Sequence, residues 1–144
     1  MTTGKDLDIL GLGPSAISLL DDAFAQNRKD TVEWQQALAH NLATERGLHL
    51  TDDDRVRREL MQQLYGHGMI DKPALETQFG IDFDNYFAAE LERLPELIDE
   101  GLANVDGTAI RLTALGRLLV RVIAAVFDAY LPPDAFREGA SKVG

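Results

Sequence analysis

Residues 113–131 read TALGRLLVRVIAAVFDAYL, the longest apolar run in the chain and one that is apolar on more than one helical face. Leu115, Leu118, Leu119, Val122, Ile123, Val126, Phe127 and Tyr130 recur at spacings of three and four, which leaves a narrow polar stripe of Arg117, Arg121 and Asp128. This pattern predicts a central helix, capped by Thr113 and stopped by Pro132-Pro133, since neither proline can continue the backbone ladder. A membrane span would need about 18 or more apolar residues with few charges, and two arginines and an aspartate interrupt this run. The rest of the chain must supply the partners that bury it.

Just upstream the period changes to that of a strand. Asp106-Gly107 lies between the short runs 102–105 and 108–112 and predicts a β-hairpin with a type I′ turn. Further back, Asp82 or Asp84 caps a helix extending to residue 100. Phe83, Tyr86, Phe87, Leu91, Leu94, Leu97 and Ile98 face inward on it, Pro95 is a bend and Gly101 a stop. Pro73 opens a short helix that Gly80 ends. Thr51 and its acidic first turn open another, with Val56, Leu60, Met61 and Leu64 as its buried stripe and Gly66 and Gly68 as its end. The order helix, helix, helix, hairpin, helix is that of a winged-helix domain. The expected fold is therefore mainly α with a small β-hairpin, a winged-helix-like domain over residues 51–131 followed by a flexible tail, 132–144.

Residues 1–50 read as an N-terminal extension. A β-like run, 6–10, ends in Gly11-Leu12-Gly13, and Pro14 to Leu20 then starts a helical pattern, giving a strand-turn-helix unit. Nothing in the following ninety or so residues reads as a parallel neighbour for residues 7–10, so that strand is expected to be partnerless, and the chain either to self-associate through it or to leave its first twenty residues mobile. Asp30 or Thr31 caps a helix to about residue 43, Gly47 closes it, and 48–50 is a connector.

Composition narrows the function. Acidic residues outnumber basic ones 24 to 14 and the net charge is -10, with no basic tract to attract nucleic acid or anionic lipid. Without a cysteine the chain has no disulfide and no thiolate for zinc or an iron–sulfur cluster. No apolar signal core follows Met1, and the expected setting is cytoplasmic. His40, His49 and His67 have no metal-ligand neighbours at helical spacing. The stretch 82–100, where a winged helix would read DNA, carries Asp82, Asp84, Glu90, Glu92, Glu96, Asp99 and Glu100 against a single Arg93 and would repel phosphate. A DNA-binding regulator then survives only if Arg55, Arg57 and Arg58 outweigh the net charge, and a non-catalytic interaction domain is the other competing class.

Gly11-Leu12-Gly13-Pro14-Ser15-Ala16 fits the G-x-G-x-x-A form of a dinucleotide fingerprint, but no second parallel strand or acidic ribose ligand follows it. Gly13-Pro14-Ser15 starts like a nucleophile elbow, with Ile17 in place of the second glycine. A tight turn is the simpler reading of both.

The segments DILGLGPSAIS (8–18), FAQN (24–27), LTDDDRVRR (50–58), LTALGRLLVR (112–121) and FDAYL (127–131), in this order and at these separations, resemble the C-terminal portion of oxygen-independent coproporphyrinogen III oxidase. The resemblance implies a radical S-adenosylmethionine enzyme of haem biosynthesis that converts coproporphyrinogen III to protoporphyrinogen IX. It also implies that the [4Fe–4S] cluster sits in an N-terminal barrel this chain lacks, so the chain is expected to be a fragment, catalytically silent alone, that covers the barrel mouth and helps enclose substrate. Residues 7–10 would be the barrel's closing strand. Gly11, Gly13, Ser15, Ala16 and Ile17 would border S-adenosylmethionine, with Ile17 in contact. Arg57, Arg58, Arg117 and Arg121 are the candidates for the substrate's propionates, the alternative being local pairing with Asp53, Glu59 or Asp128.

Overall fold

A computed structural model describes residues 8–20, 22–40 and 43–132. The expected tail beyond Pro132, together with Leu7 and Leu42, lies outside these. The chain divides into two compact units, Met1–Asp53 and Asp54–Gly144.

The first unit is a three-stranded antiparallel sheet, β1 (Ile17–Leu20), β2 (Ala23–Asn27) and β3 (Thr44–His49) in that order, with helix α1 (Thr31–Leu38) between β2 and β3. The expected strand-turn-helix is corrected to strand, turn, strand. Ile17 to Leu20 pair with Gln26 to Ala23, and Ser15 just before them holds a positive φ of 58° that no right-handed helix start accommodates. Residue 9 is not partnerless either, because Ile9 and Leu19 exchange both backbone hydrogen bonds at 2.8 Å. Asp30 does cap α1, accepting from the backbone N–H groups of Val32 and Glu33 at 2.9 Å. The helix stops at Leu38 instead of 43. Gly47 and the presumed connector belong to β3, where Ala25 faces Gly47 and Phe24 faces Leu48.

The second unit packs helices around one core. Helix α2 (Asp52–His67) runs into β4 (Met69–Asp71) through Gly68, whose φ of 66° makes the turn. Helix α3 (Lys72–Phe79) follows. Asp71 caps it, Pro73 sits in its first turn and Gly80 closes it in the left-handed conformation, as expected. The predicted long helix over 82–100 is instead three pieces, α4 (Phe83–Tyr86), α5 (Ala88–Leu91) and α6 (Leu94–Asp99). One break is at Phe87, and the other precedes Pro95, which has no N–H to give the carbonyl of Leu91. Phe83, Phe87, Leu94 and Leu97 are buried as expected, but Tyr86 and Ile98 are exposed.

Strands β5 (Ala103–Val105) and β6 (Ala109–Leu112) form the predicted hairpin, and β4 adds a third strand on the far side of β6 that the sequence did not announce. The turn is not type I′. Val105 faces Ile110, which puts Asp106 before the turn, and Gly107 has no positive φ. Asp106 shapes the turn with its side chain, its Oδ1 accepting from the Thr108 N–H, the Thr108 hydroxyl and the Ala109 N–H at 2.8 Å each.

The central helix is likewise divided, into α7 (Ala114–Leu118) and α8 (Val120–Val126), by Leu119 at φ -104° and ψ 28°. Thr113 caps it as predicted, its hydroxyl accepting from Gly116 N–H at 3.0 Å. Val122, Ile123, Val126 and Phe127 enter the core with Leu60, Leu64 and Phe87, whereas Leu115, Leu118 and Tyr130 are exposed, contrary to the periodicity. Gly116 lies so close to the β5 side that a Cβ there would sit 1.9 Å from the Leu102 carbonyl oxygen. That contact fixes which side of α7 faces in.

Candidate functional site

In the first unit the glycine turn is tied to β1 and β2. Ser18 Oγ accepts from Gly11 N–H at 3.0 Å, the Ser15 N–H reaches the Arg28 carbonyl at 2.8 Å, and the Ala16 N–H reaches that of Gly13 at 3.4 Å. Asn27 Nδ2 donates to the carbonyls of Gly11 and Gly13 at 3.4 and 3.0 Å. A Cβ on Gly11 would come within 2.7 Å of the Ile17 carbonyl. The Gly11, Ser15 and Ala16 amides are thus spent on the turn itself, Gly11 serves close backbone approach and Gly13 supplies a positive φ of 97°.

Ile17, more than half exposed, stands at the lip of a hollow of about 480 Å³ lined by Phe24, Gln26, Arg46, Gly47 and Leu48. Arg46 Nε and Nη2 donate to Gln26 Oε1 at 2.8 and 2.5 Å. Mostly apolar walls with one guanidinium suit a ligand that has a flat ring and a carboxylate, both of which are features of S-adenosylmethionine. They do not fit an iron–sulfur cluster, for which the chain has no thiolate. Among the described residues no group of three or more His, Asp or Glu is gathered to hold a metal ion. Gln26 and Arg46 were missed by sequence reasoning, because Phe24 with Gln26 and Arg46 with Leu48 mix polar and apolar residues on one face and give no period-two signal.

In the second unit the four candidate arginines do not converge. Arg57, on α2, is nearly buried. Its Nη1 donates at 2.8 Å to both Glu90 Oε1 and the Phe127 carbonyl, and its guanidinium lies 5.3 Å from the centre of the Phe87 ring. Arg57 does pair with an acidic group, Glu90, which was not among the candidates named from the sequence. Arg58 is half-buried on the same helix. Arg117, on α7, donates from Nη2 to the His67 carbonyl at 2.8 Å, capping the end of α2, and its guanidinium covers Gly68. Arg121, on α8, is exposed. Tyr130 closes this side, its hydroxyl donating to Asp54 Oδ1 at 2.7 Å.

The turn between β5 and β6 carries the perturbed acid. Hydrogen bonds from the Thr108 N–H, then from its hydroxyl, then from Ala109 and Arg111, hold the Asp106 carboxyl well below the ordinary carboxylate range. A depressed folded-state pKa gives stability that is full above the unfolded value of 3.8 and is lost as pH falls toward the folded one. Asp106→Asn keeps the Oδ1 acceptor without the charge. Its melting temperature is therefore expected to lie below the parent's at neutral pH, with the gap closing as pH drops below about 4. Thermal melts of both proteins across that range check it, and a gap independent of pH would refute it.

Comparison with known proteins gives a consistent answer. The family model of the HemN C-terminal domain matches residues 50–119. Residues 50–119 are thus similar to the HemN C-terminal domain. It is 46% identical over 132 residues to the oxygen-independent coproporphyrinogen III oxidase of Pseudomonas aeruginosa, covering 91% of this chain and 29% of that protein. With the Escherichia coli enzyme of the same name the identity is 41% over 143 residues, covering 99% of this chain and 31% of the other. The solved structure of coproporphyrinogen III oxidase (HemN) from Escherichia coli, described as a radical SAM enzyme, superposes with a TM-score of 0.83 at 42% identity over 90% of this chain and 30% of that one. The chain thus spans about 30% of the length of these relatives.

Arg57, Arg58 and Arg117 fall inside the HemN C-terminal domain match, and Arg121 lies two residues beyond it. The glycine turn precedes the domain. It is taken in by the 143-residue match to the Escherichia coli protein.

Proposed function

We propose that this chain does the work of the C-terminal part of an oxygen-independent coproporphyrinogen III oxidase, in a cytoplasmic setting, joined to the N-terminal barrel of the same enzyme. The observation that carries this reading is the 46% identity over 91% of the chain. Two propionates of coproporphyrinogen III become the vinyls of protoporphyrinogen IX, each losing a hydrogen atom from the methylene attached to the ring, then carbon dioxide from the neighbouring carbon and one electron to a one-electron acceptor. When bound, S-adenosylmethionine with its [4Fe–4S] cluster supplies the one-electron chemistry that removes that hydrogen. The cluster belongs to the barrel, since this chain has no cysteine.

The residues here bind and enclose. Residues 1–50 complete the barrel wall, with Gly11, Gly13, Ser15, Ala16 and Ile17 bordering S-adenosylmethionine and Arg46 beside its carboxylate. Residues 51–131 form a winged-helix-like cover over the barrel mouth. This label is supported by the order of α2, α3, the α4–α6 pieces, the β5–β6 hairpin and α7. Arg58 and Arg121 face the substrate, while Arg57 and Arg117 brace helices. Binding to nucleic acid is disfavoured by the net charge of -10.

A chimera in which this chain replaces the matching C-terminal portion of the Escherichia coli enzyme tests the reading. Under anaerobic conditions the chimera is expected to form protoporphyrinogen IX, and the Escherichia coli enzyme truncated before that portion is expected to form none. A chimera that folds and holds its cluster yet turns over no substrate would overturn it.

A further inference from the structure

We propose that the outer side of α7 and the start of α8, formed by Leu115, Leu118 and Arg121, is a docking strip for the substrate tetrapyrrole. The leucines lie against a pyrrole edge and the Arg121 guanidinium takes a propionate. This deepens the oxidase reading and rests on it.

Three observations support the strip. Leu118 is 82% exposed and Leu115 48%, at a spacing of three, on a segment whose opposite side is packed tightly through Gly116 and Ile123. An apolar pair displayed from so constrained an element marks a contact surface. Arg121 follows Leu118 at the same spacing, just past the break at Leu119, and is also exposed. The segment that carries them has charges of one sign only. Residues 112–127 carry Arg117 and Arg121 and no acidic residue, in a chain whose net charge is -10.

These features select the occupant. Cations flanking an apolar strip call for an anion with an apolar body, and a guanidinium pairs best with a carboxylate. Two leucine side chains offer far less than the ~800 Å² per partner of a stable protein interface, so a small amphiphile fits better than a second protein. A tetrapyrrole bearing propionates has both halves. Arg117, already donating to the His67 carbonyl, holds α7 against the end of α2 and so positions the strip.

The test is a fluorescence titration of the full chain with coproporphyrin III, the stable oxidised form of the substrate. Leu118→Ser and Arg121→Ala are compared with the parent after their melts confirm that both are folded. Each substitution is expected to weaken binding about tenfold, the worth of one charge-assisted hydrogen bond or one buried leucine. The tetramethyl ester is expected to bind parent and Arg121→Ala alike. No binding by the parent, or binding by both variants as tight as the parent's, would overturn the strip. Failure here with an active chimera sinks the strip alone, whereas an inert chimera with positive titrations sinks the oxidase reading and leaves a tetrapyrrole site.

Discussion

Gly116→Ala is expected to lower stability by about 3 kcal/mol or more, because the added methyl would lie inside the contact distance of a backbone oxygen that cannot swing away. The Leu102 carbonyl, 1.9 Å from where the Cβ would be, also accepts from the Thr113 N–H at 3.0 Å. The helix cannot retreat without breaking its own cap and lifting Ile123 out of the core. For a unit of this size the loss is a fall in melting temperature on the order of 10 °C or more. Alanine is a better helix former than glycine by about 1 kcal/mol, so a surface glycine in a helix would show the opposite sign. A melt by circular dichroism that matches or exceeds the parent's would show that α7 does not press on Leu102.

Arg57→Ala is expected to cost about 3 kcal/mol, at the lower end for breaking a buried pair, since both side chains keep a little solvent contact. The substitution leaves the Glu90 carboxylate without its 2.8 Å partner, removes a donor from the Phe127 carbonyl and uncovers the Phe87 ring. Arg57 and Glu90 are 33 positions apart, and the pair joins α2 to α5 while the carbonyl ties in the end of α8. Arg57→Met with Glu90→Leu should therefore recover most of the loss, because it removes the stranded charge with its partner. Denaturant melts of the single and double variants measure this. A single variant within about 0.5 kcal/mol of the parent would mean that the pair is an ornament of the surface.

What was legible in the sequence was what short-range chemistry decides. Asp30 and Thr113 capped where expected, Pro73 and Gly80 bracketed α3, and the hairpin fell on either side of Asp106. The first unit was not legible. β3 is exposed along its whole length, so Thr44 to His49 shows no apolar alternation, and Gly47 looks like a helix stop when it is a strand residue facing Ala25. The divided helices failed for a different reason. Hydrophobic spacing sees which residues could share a face but not where a backbone pauses, and at Phe87 and Leu119 the pause turns the next apolar residues onto a new axis. The same blindness hid the strip, since a periodic leucine at 118 reads as core. The candidate arginines were visible as residue types, yet only Arg57 and Arg117 revealed their partners in three dimensions, because those partners lie 33 to 70 positions away.

Gly68 and Arg117 set a direction for change in the lineage. A Cβ at residue 68 would lie 2.5 Å from Arg117 Cζ, and the backbone there already holds a φ of 66°. Losing the arginine while keeping the glycine forfeits one hydrogen bond at the end of α2. Gaining a side chain at 68 while the arginine remains must both strain the turn and expel the guanidinium. Related sequences should therefore include chains with glycine and no arginine, but hardly any with the arginine and a bulky residue opposite.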